Sequence, residues 1–127
     1  MTTETPPTSE DTRLRLRVVF GTDAMLGPGK ADLLEAIRDR GSISAAGRAM
    51  GMSYKRAWSL VEAMNAAFRA PLVASSRGGA RGGGASLTET GERVLSHYRR
   101  LEAQAAEAGA AEIDALRGLL LDMSGET

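Results

Sequence analysis

Apolar positions along this chain change their period from one stretch to the next, and each period predicts an element. In Arg13 to Phe20 the residues Leu14, Leu16, Val18 and Phe20 alternate with Arg13, Arg15 and Arg17. Period two predicts a half-buried strand. From Lys30 to Arg40 the pattern becomes helical, with Ala31, Leu33, Leu34 and Ile37 on one face. A short small-residue segment comes next, Ser42 to Met50, whose inner face is Ile43, Ala46, Ala49 and Met50. A longer helical stripe, Ala57, Leu60, Val61, Met64 and Phe68, occupies Ser53 to Phe68. Leu72 to Ser76 and Ala85 to Thr88 read as two short strands around RGGARGGG. From Thr88 onward Val94, Leu95, Tyr98, Leu101, Ala105 and Ala108 keep a spacing of three and four. The stripe restarts at Ile113, Leu116, Leu119, Leu120 and Met123, which predicts one long helix over about 88–122.

The punctuation between these segments agrees with them. Gly21 to Gly29 is a turn-rich connection, and Gly41 closes the first helix as a C-cap. Arg38 and Arg40 complement the negative end of that helix. Ser42 and Ser53 are N-caps of the next two helices, and Gly51 makes the tight turn between them. Pro71 ends the longer of the two. Thr88 caps the last helix, and Gly91 allows it close packing against the hairpin. Residues 1–12 are a polar lead-in expected to be disordered, 13–122 one domain, and 123–127 a tail. The expected fold is mainly α with a small β wing. It is a winged helix-turn-helix, with an N-terminal strand and a long C-terminal dimerisation helix.

Charge changes the picture more than composition does. The net charge of the 127 residues is zero, yet its distribution is polarised. Between Gly41 and Arg81 six basic residues face a single acid, Glu62, a net of +5. From Leu101 to Thr127 six acids face Arg117 alone, a net of −5. A basic working face and an acidic far end are the footprint of a nucleic-acid reader. Lys55 and Arg56 lack the interspersed acids of an ordinary solvated face, and the glycine-rich hairpin brings Arg77 and Arg81 within reach of phosphates. Arg13, Arg15 and Arg17 are better read as the solvated side of a strand, and Trp58 as a core or hinge-filling residue.

Catalysis and metal chemistry find little support. There is no Cys and a single His, His97, which falls on the polar side of its helix, so no metal site or cofactor is expected. No Ser-His-Asp or paired-carboxylate arrangement converges in this architecture, and an enzyme is not expected. RGGARGGG lacks the Gly-Lys-Ser/Thr of a phosphate-binding loop. No apolar run approaches a membrane span and the first residues carry no secretory pattern, so a cytoplasmic protein with no membrane partner is expected. The aliphatic seam of the last helix carries no convergent polar groups and reads as a dimer interface rather than a ligand site.

Ser53-Tyr54-Lys55-Arg56-Ala57-Trp58, then Met64-Asn65, Pro71-Leu72-Val73, Gly82-Gly83-Gly84-Ala85, Leu87-Thr88 and Gly91 form a set at fixed distances. Over roughly Arg13 to Leu121 that set resembles the N-terminal DNA-binding domain of the ModE family of molybdate-responsive transcriptional regulators. LysR-type regulators are similar over the helix-turn-helix. The resemblance implies that Ser53, Tyr54, Lys55, Arg56 and Ser59 face the major groove. Ser44 and Arg48, with Arg77 and Arg81 on the wing, would contact the phosphate backbone. It also implies dimerisation through the first and last helices, whose seam here offers Val94, Tyr98, Leu101, Ala105, Ala108, Leu116 and Leu120. Full-length family members continue into a C-terminal oxyanion-binding domain, which this chain has no length to hold, so molybdate binding by this chain is not expected. The expected function is a homodimeric, sequence-specific regulator on a pseudo-palindromic site in double-stranded DNA. The rival expectation is an interaction module that forms mixed dimers with a full-length regulator.

Overall fold

The computed structural model describes residues 12–76 and 84–121. The elements run β1 (Val18–Phe20), β2 (Ala24–Leu26), α1 (Pro28–Arg40), α2 (Ile43–Ala49), α3 (Tyr54–Ala67), β3 (Val73–Ser76), β4 (Gly84–Leu87), α4 (Glu89–Ala108) and α5 (Ala110–Gly118). Residues 16–99 form one compact unit; the remaining described residues at the two ends of the chain form a second.

The larger unit is built around α1, α2 and α3. Leu33, Leu34, Ile37, Val61, Met64 and Leu72 are its largest wholly buried side chains. Each contributes about 1.5–3 kcal/mol by leaving water. Gly41 takes φ +77° and returns its N–H to Ile37 O at 2.8 Å, so α1 ends where the C-cap was expected. Arg99 of α4 clamps α1 from outside, with Nη2 2.8 Å from both Asp32 Oδ1 and Glu35 Oε1.

The predicted eight-residue strand is a correction. Exposure does alternate, with Leu14, Leu16 and Val18 half-buried and the three arginines exposed. The ladder, however, covers only Val18–Phe20, paired antiparallel with Ala24–Leu26. Its partner therefore lies inside the stretch read as a turn-rich connection. Gly21, at φ +71°, turns the hairpin. A three-residue strand is too short for its period to be seen in sequence. Phe20 also departs from its expected place inside: it is 50% exposed and meets Phe68 edge-on at 6.3 Å.

The predicted face of α2 needs one exchange. Ile43 and Ala46 are buried as expected, but Ala49 is exposed and Gly47 takes its place against α3. In α3, Ala57, Val61 and Met64 are buried, while Leu60, Phe68 and Trp58 are half-buried against the core.

The single long C-terminal helix is also corrected. It breaks at Gly109, between α4 and α5. Gly109 (φ −96°, ψ 9°) leaves the helical path while its N–H still bonds Ala105 O at 2.8 Å. Glycine is costly within a helix, and the alanine-rich run around it provides no large side chain to offset that cost. Residues 119–121 are not helical, since α5 stops at Gly118.

Tyr98 is the remaining correction. It is 2% exposed and belongs to the chain's own core rather than to an open seam. Its hydroxyl donates to Leu16 O at 2.6 Å, tying the segment before β1 to α4. Tyr98→Phe keeps the ring and deletes the bond to Leu16 O. It is expected to lower stability by about 1 kcal/mol in a urea titration, because the Leu16 carbonyl loses its partner. A midpoint equal to that of the unsubstituted chain would show that water replaces the bond without cost.

Candidate nucleic-acid interface

The helix-turn-helix is assembled from short-range caps and one close approach. Ser42 Oγ accepts Ala45 N–H at 2.9 Å to start α2, and Ser53 Oγ accepts Arg56 N–H at 3.0 Å to start α3. Between them Gly51 takes φ +72°, a conformation glycine adopts without strain. Met52 N–H bonds back to Gly47 O at 2.9 Å, closing the turn. A Cβ on Gly47 would stand 3.0 Å from Ala57 Cβ, so the two helices cross with almost no space between them. The small residues of α2 therefore set the angle at which α3 leaves the body.

With Ala57, Val61 and Met64 turned inward, the first turns of α3 present Tyr54, Lys55, Arg56 and Ser59 to solvent, with Ser53 exposed just before them. Tyr54 is 57% exposed and stacks edge-on against half-buried Trp58, ring centroids 6.2 Å apart. That contact limits the tyrosine's freedom at the tip. On α2, Arg48 Nη1 donates to Ser44 Oγ at 2.9 Å, so the two α2 residues assigned to phosphate are joined to each other. All seven of these residues lie on α2, α3 and the turn between them, within one unit.

The wing is a hairpin of β3 and β4, in register Val73↔Leu87 to Ser76↔Gly84. Arg77 and Arg81 lie outside the described residues. Several attachments hold the wing root, Thr88 N–H donating to Leu72 O at 2.9 Å among them. Ala85 N–H donates to Gly41 O at 2.9 Å, joining β4 to the end of α1. Asn65 of α3 joins β3 to the recognition helix: its Oδ1 accepts Leu72 N–H at 2.8 Å and Val73 N–H at 3.1 Å, and its Nδ2 donates to Val73 O at 3.2 Å. The two N–H donors dictate which terminal atom is the oxygen. Asn65 falls in the Met64-Asn65 motif, but the sequence alone assigns it no role. The available signal was a polar residue in the last turns of an otherwise apolar-striped helix, followed by a glycine-free, proline-led turn.

Residues assigned to assembly divide by exposure. Val94 is half-buried against the core and Tyr98 is inside it, whereas Leu101 is 41%, Leu116 65% and Leu120 57% exposed. Ala105 is half-buried and Ala108 exposed.

A helix-turn-helix whose second helix carries exposed cations, with a β-hairpin rooted to that helix by a side-chain clamp, is a winged helix-turn-helix, a DNA-binding architecture. Residues 30–92 match the bacterial regulatory helix-turn-helix family of the lysR type. The chain is similar to the molybdenum-pterin-binding protein MopB of Rhodobacter capsulatus, 48% identical over 90 residues, covering 71% of this chain and 33% of that protein. It is 37% identical over 116 residues to the molybdenum transport protein ModE of Azotobacter vinelandii, covering 90% of this chain and 42% of that protein. It is 41% identical over 71 residues to the DNA-binding transcriptional dual regulator ModE of Escherichia coli K12, covering 56% of this chain and 27% of that protein. The chain thus spans less than half the length of each of these relatives. Among the described residues no helix is long and apolar enough to cross a membrane.

Proposed function

We propose that this chain is a DNA-binding transcriptional regulator linked to molybdenum metabolism, working by binding rather than by catalysis. The observation that carries it is the start of α3. There Tyr54, Lys55 and Arg56 project from a capped helix whose opposite face is locked in the core. Such a helix end is rigid enough to enter a major groove, and Lys and Arg match the acceptor edge of guanine. Arg48 and the wing arginines supply sequence-independent affinity through phosphates. The link to molybdenum rests on the names of the relatives, which match over this DNA-binding part. A role on genomic DNA makes the cytoplasm its place of action.

The regulator acts as a homodimer. Leu101, Leu116 of α5, and Leu119 and Leu120 just after it supply the exposed apolar surface for assembly. Two copies of α3 would then read successive major grooves about 34 Å apart, on a pseudo-palindromic site. Arg56→Ala is expected to lose about 1–3 kcal/mol of discrimination at one base pair of each half-site. Selection of sites from random duplexes checks this. A preferred sequence equally sharp at every position in the variant would remove Arg56 from base readout. Failure of the unsubstituted chain to enrich any sequence would remove the function.

A further inference from the structure

We propose that Arg17 and Lys30 hold a backbone phosphate of the bound DNA beside Arg56, which extends the interface to the segment before β1 and the start of α1. The proposal rests on the DNA-binding reading above and enlarges its site. Arg17, Lys30 and Arg56 come from three separate stretches of chain, yet line one open cavity of about 240 Å³. The rest of its wall is apolar or glycine, including Met25, Met52 and Gly27, and no Asp or Glu lines it. Three like charges around a weakly polar cavity repel one another, and an anion between them reverses the sign of that interaction.

The cations are positioned rather than loose. The stem of Arg17 packs at Gly27, where Cγ lies 3.7 Å from the place a Cβ would occupy. Lys30 Nζ donates to Met25 O at 3.0 Å, which fixes the ammonium and leaves two protons to give. Gly27 caps α1 without a side-chain bond, and Gly29 and Lys30, whose N–H groups precede the first intrahelical bond, line the same cavity. Arg56 decides between a free anion and DNA. It belongs both to this cavity and to the exposed start of α3, so a duplex read by α3 runs its backbone past the cavity mouth. The alternating pattern of the sequence had assigned Arg17 to a solvated strand face, and Lys30 had no role.

The test is a titration of the chain with its selected duplex and with a scrambled duplex, across a range of KCl concentrations. Arg17→Gln and Lys30→Met are each expected to weaken both complexes equally, on the order of 25- to 100-fold for the dimer at 0.1 M salt, and to lower the salt slope by about two, one for each copy of the chain. Arg17→Lys is expected to restore both. If Lys30→Met unfolds the chain, Arg17→Gln decides, because the Arg17 side chain is exposed. Unchanged slopes in a variant that still distinguishes the two duplexes would overturn the phosphate site and leave the DNA-binding reading standing. No binding of either duplex by the unsubstituted chain would overturn both. Heat stabilisation by inorganic phosphate that Arg17→Gln abolishes, with no change in slope, would assign the cavity to a small anion instead.

Discussion

Gly91→Ala is expected to lower the stability of the winged helix-turn-helix by about 3 kcal/mol or more, although alanine is the better helix former. A Cβ at this position would overlap the Leu72 carbonyl oxygen and stand 3.0 Å from the Leu72 carbonyl carbon. Both atoms are backbone, so no rotamer change relieves the overlap. Leu72 cannot retreat cheaply either. Its side chain is wholly buried, its N–H is held by Asn65, and its carbonyl accepts Thr88 N–H at 2.9 Å. Thr88 is also the residue that starts α4, through Oγ1 accepting Gly91 N–H at 2.9 Å. Forcing α4 outward would thus break the cap and the wing root together. For a domain of this size the loss corresponds to a melting temperature lower by on the order of 15 °C, read by circular dichroism. Gly118→Ala is the control. Nothing lies within 4 Å of its added Cβ, so it is expected to be neutral or to gain about 0.5–1 kcal/mol. Equal melting of the two variants would show that α4 and Leu72 separate without cost.

Asn65→Ala is expected to cost about 3 kcal/mol and to weaken DNA binding beyond the fraction of chain unfolded. The substitution removes three hydrogen bonds and leaves the N–H groups of Leu72 and Val73, both buried residues, without their acceptor. Each orphaned donor costs on the order of 1–3 kcal/mol. Asn65→Asp keeps the two-pronged acceptor but sets a carboxylate oxygen against Val73 O in place of the amide donor, so it is expected to cost about 1–2 kcal/mol. Urea titrations of the two variants should therefore rank Ala well below Asp. Equal losses would mean that the Nδ2 bond, and not the two-pronged acceptor, holds the wing root.

Much of the helix-turn-helix was legible because it is a local structure. Gly41, Ser42, Gly51 and Ser53 act within a few residues of themselves, and each does what its type predicts. The stripe of α3 could be read in the same way, since a 3.6-residue period over four turns is a strong signal. Where an element was only three residues long, as in β2, period carried no information. Leu14, Leu16 and Val18 gave a true exposure pattern but a false strand length, because alternation marks which side is covered and not where ladder bonds form. Tyr98 shows another limit. A spacing of three and four places it on the apolar side of α4 but does not say whether this chain or a second copy covers that side. Leu16, 82 residues earlier, answers it.

The sequence by itself determined the order of helices α1 to α4 and of the wing strands, the two serine caps, the glycine turn and the exposure of Tyr54, Lys55 and Arg56. Each follows from spacing and from conformational preferences that operate over a few residues. Only the tertiary structure decided that Asn65 clamps the wing and that the Leu72 carbonyl is what excludes a side chain at Gly91. It also placed Tyr98 in the core, broke the predicted C-terminal helix at Gly109, and set Arg17 and Lys30 around a cavity with Arg56. Most of these depend on which distant backbone atoms come within 3–4 Å. Chain proximity of that kind is set by the packing of the whole core, which no local period records.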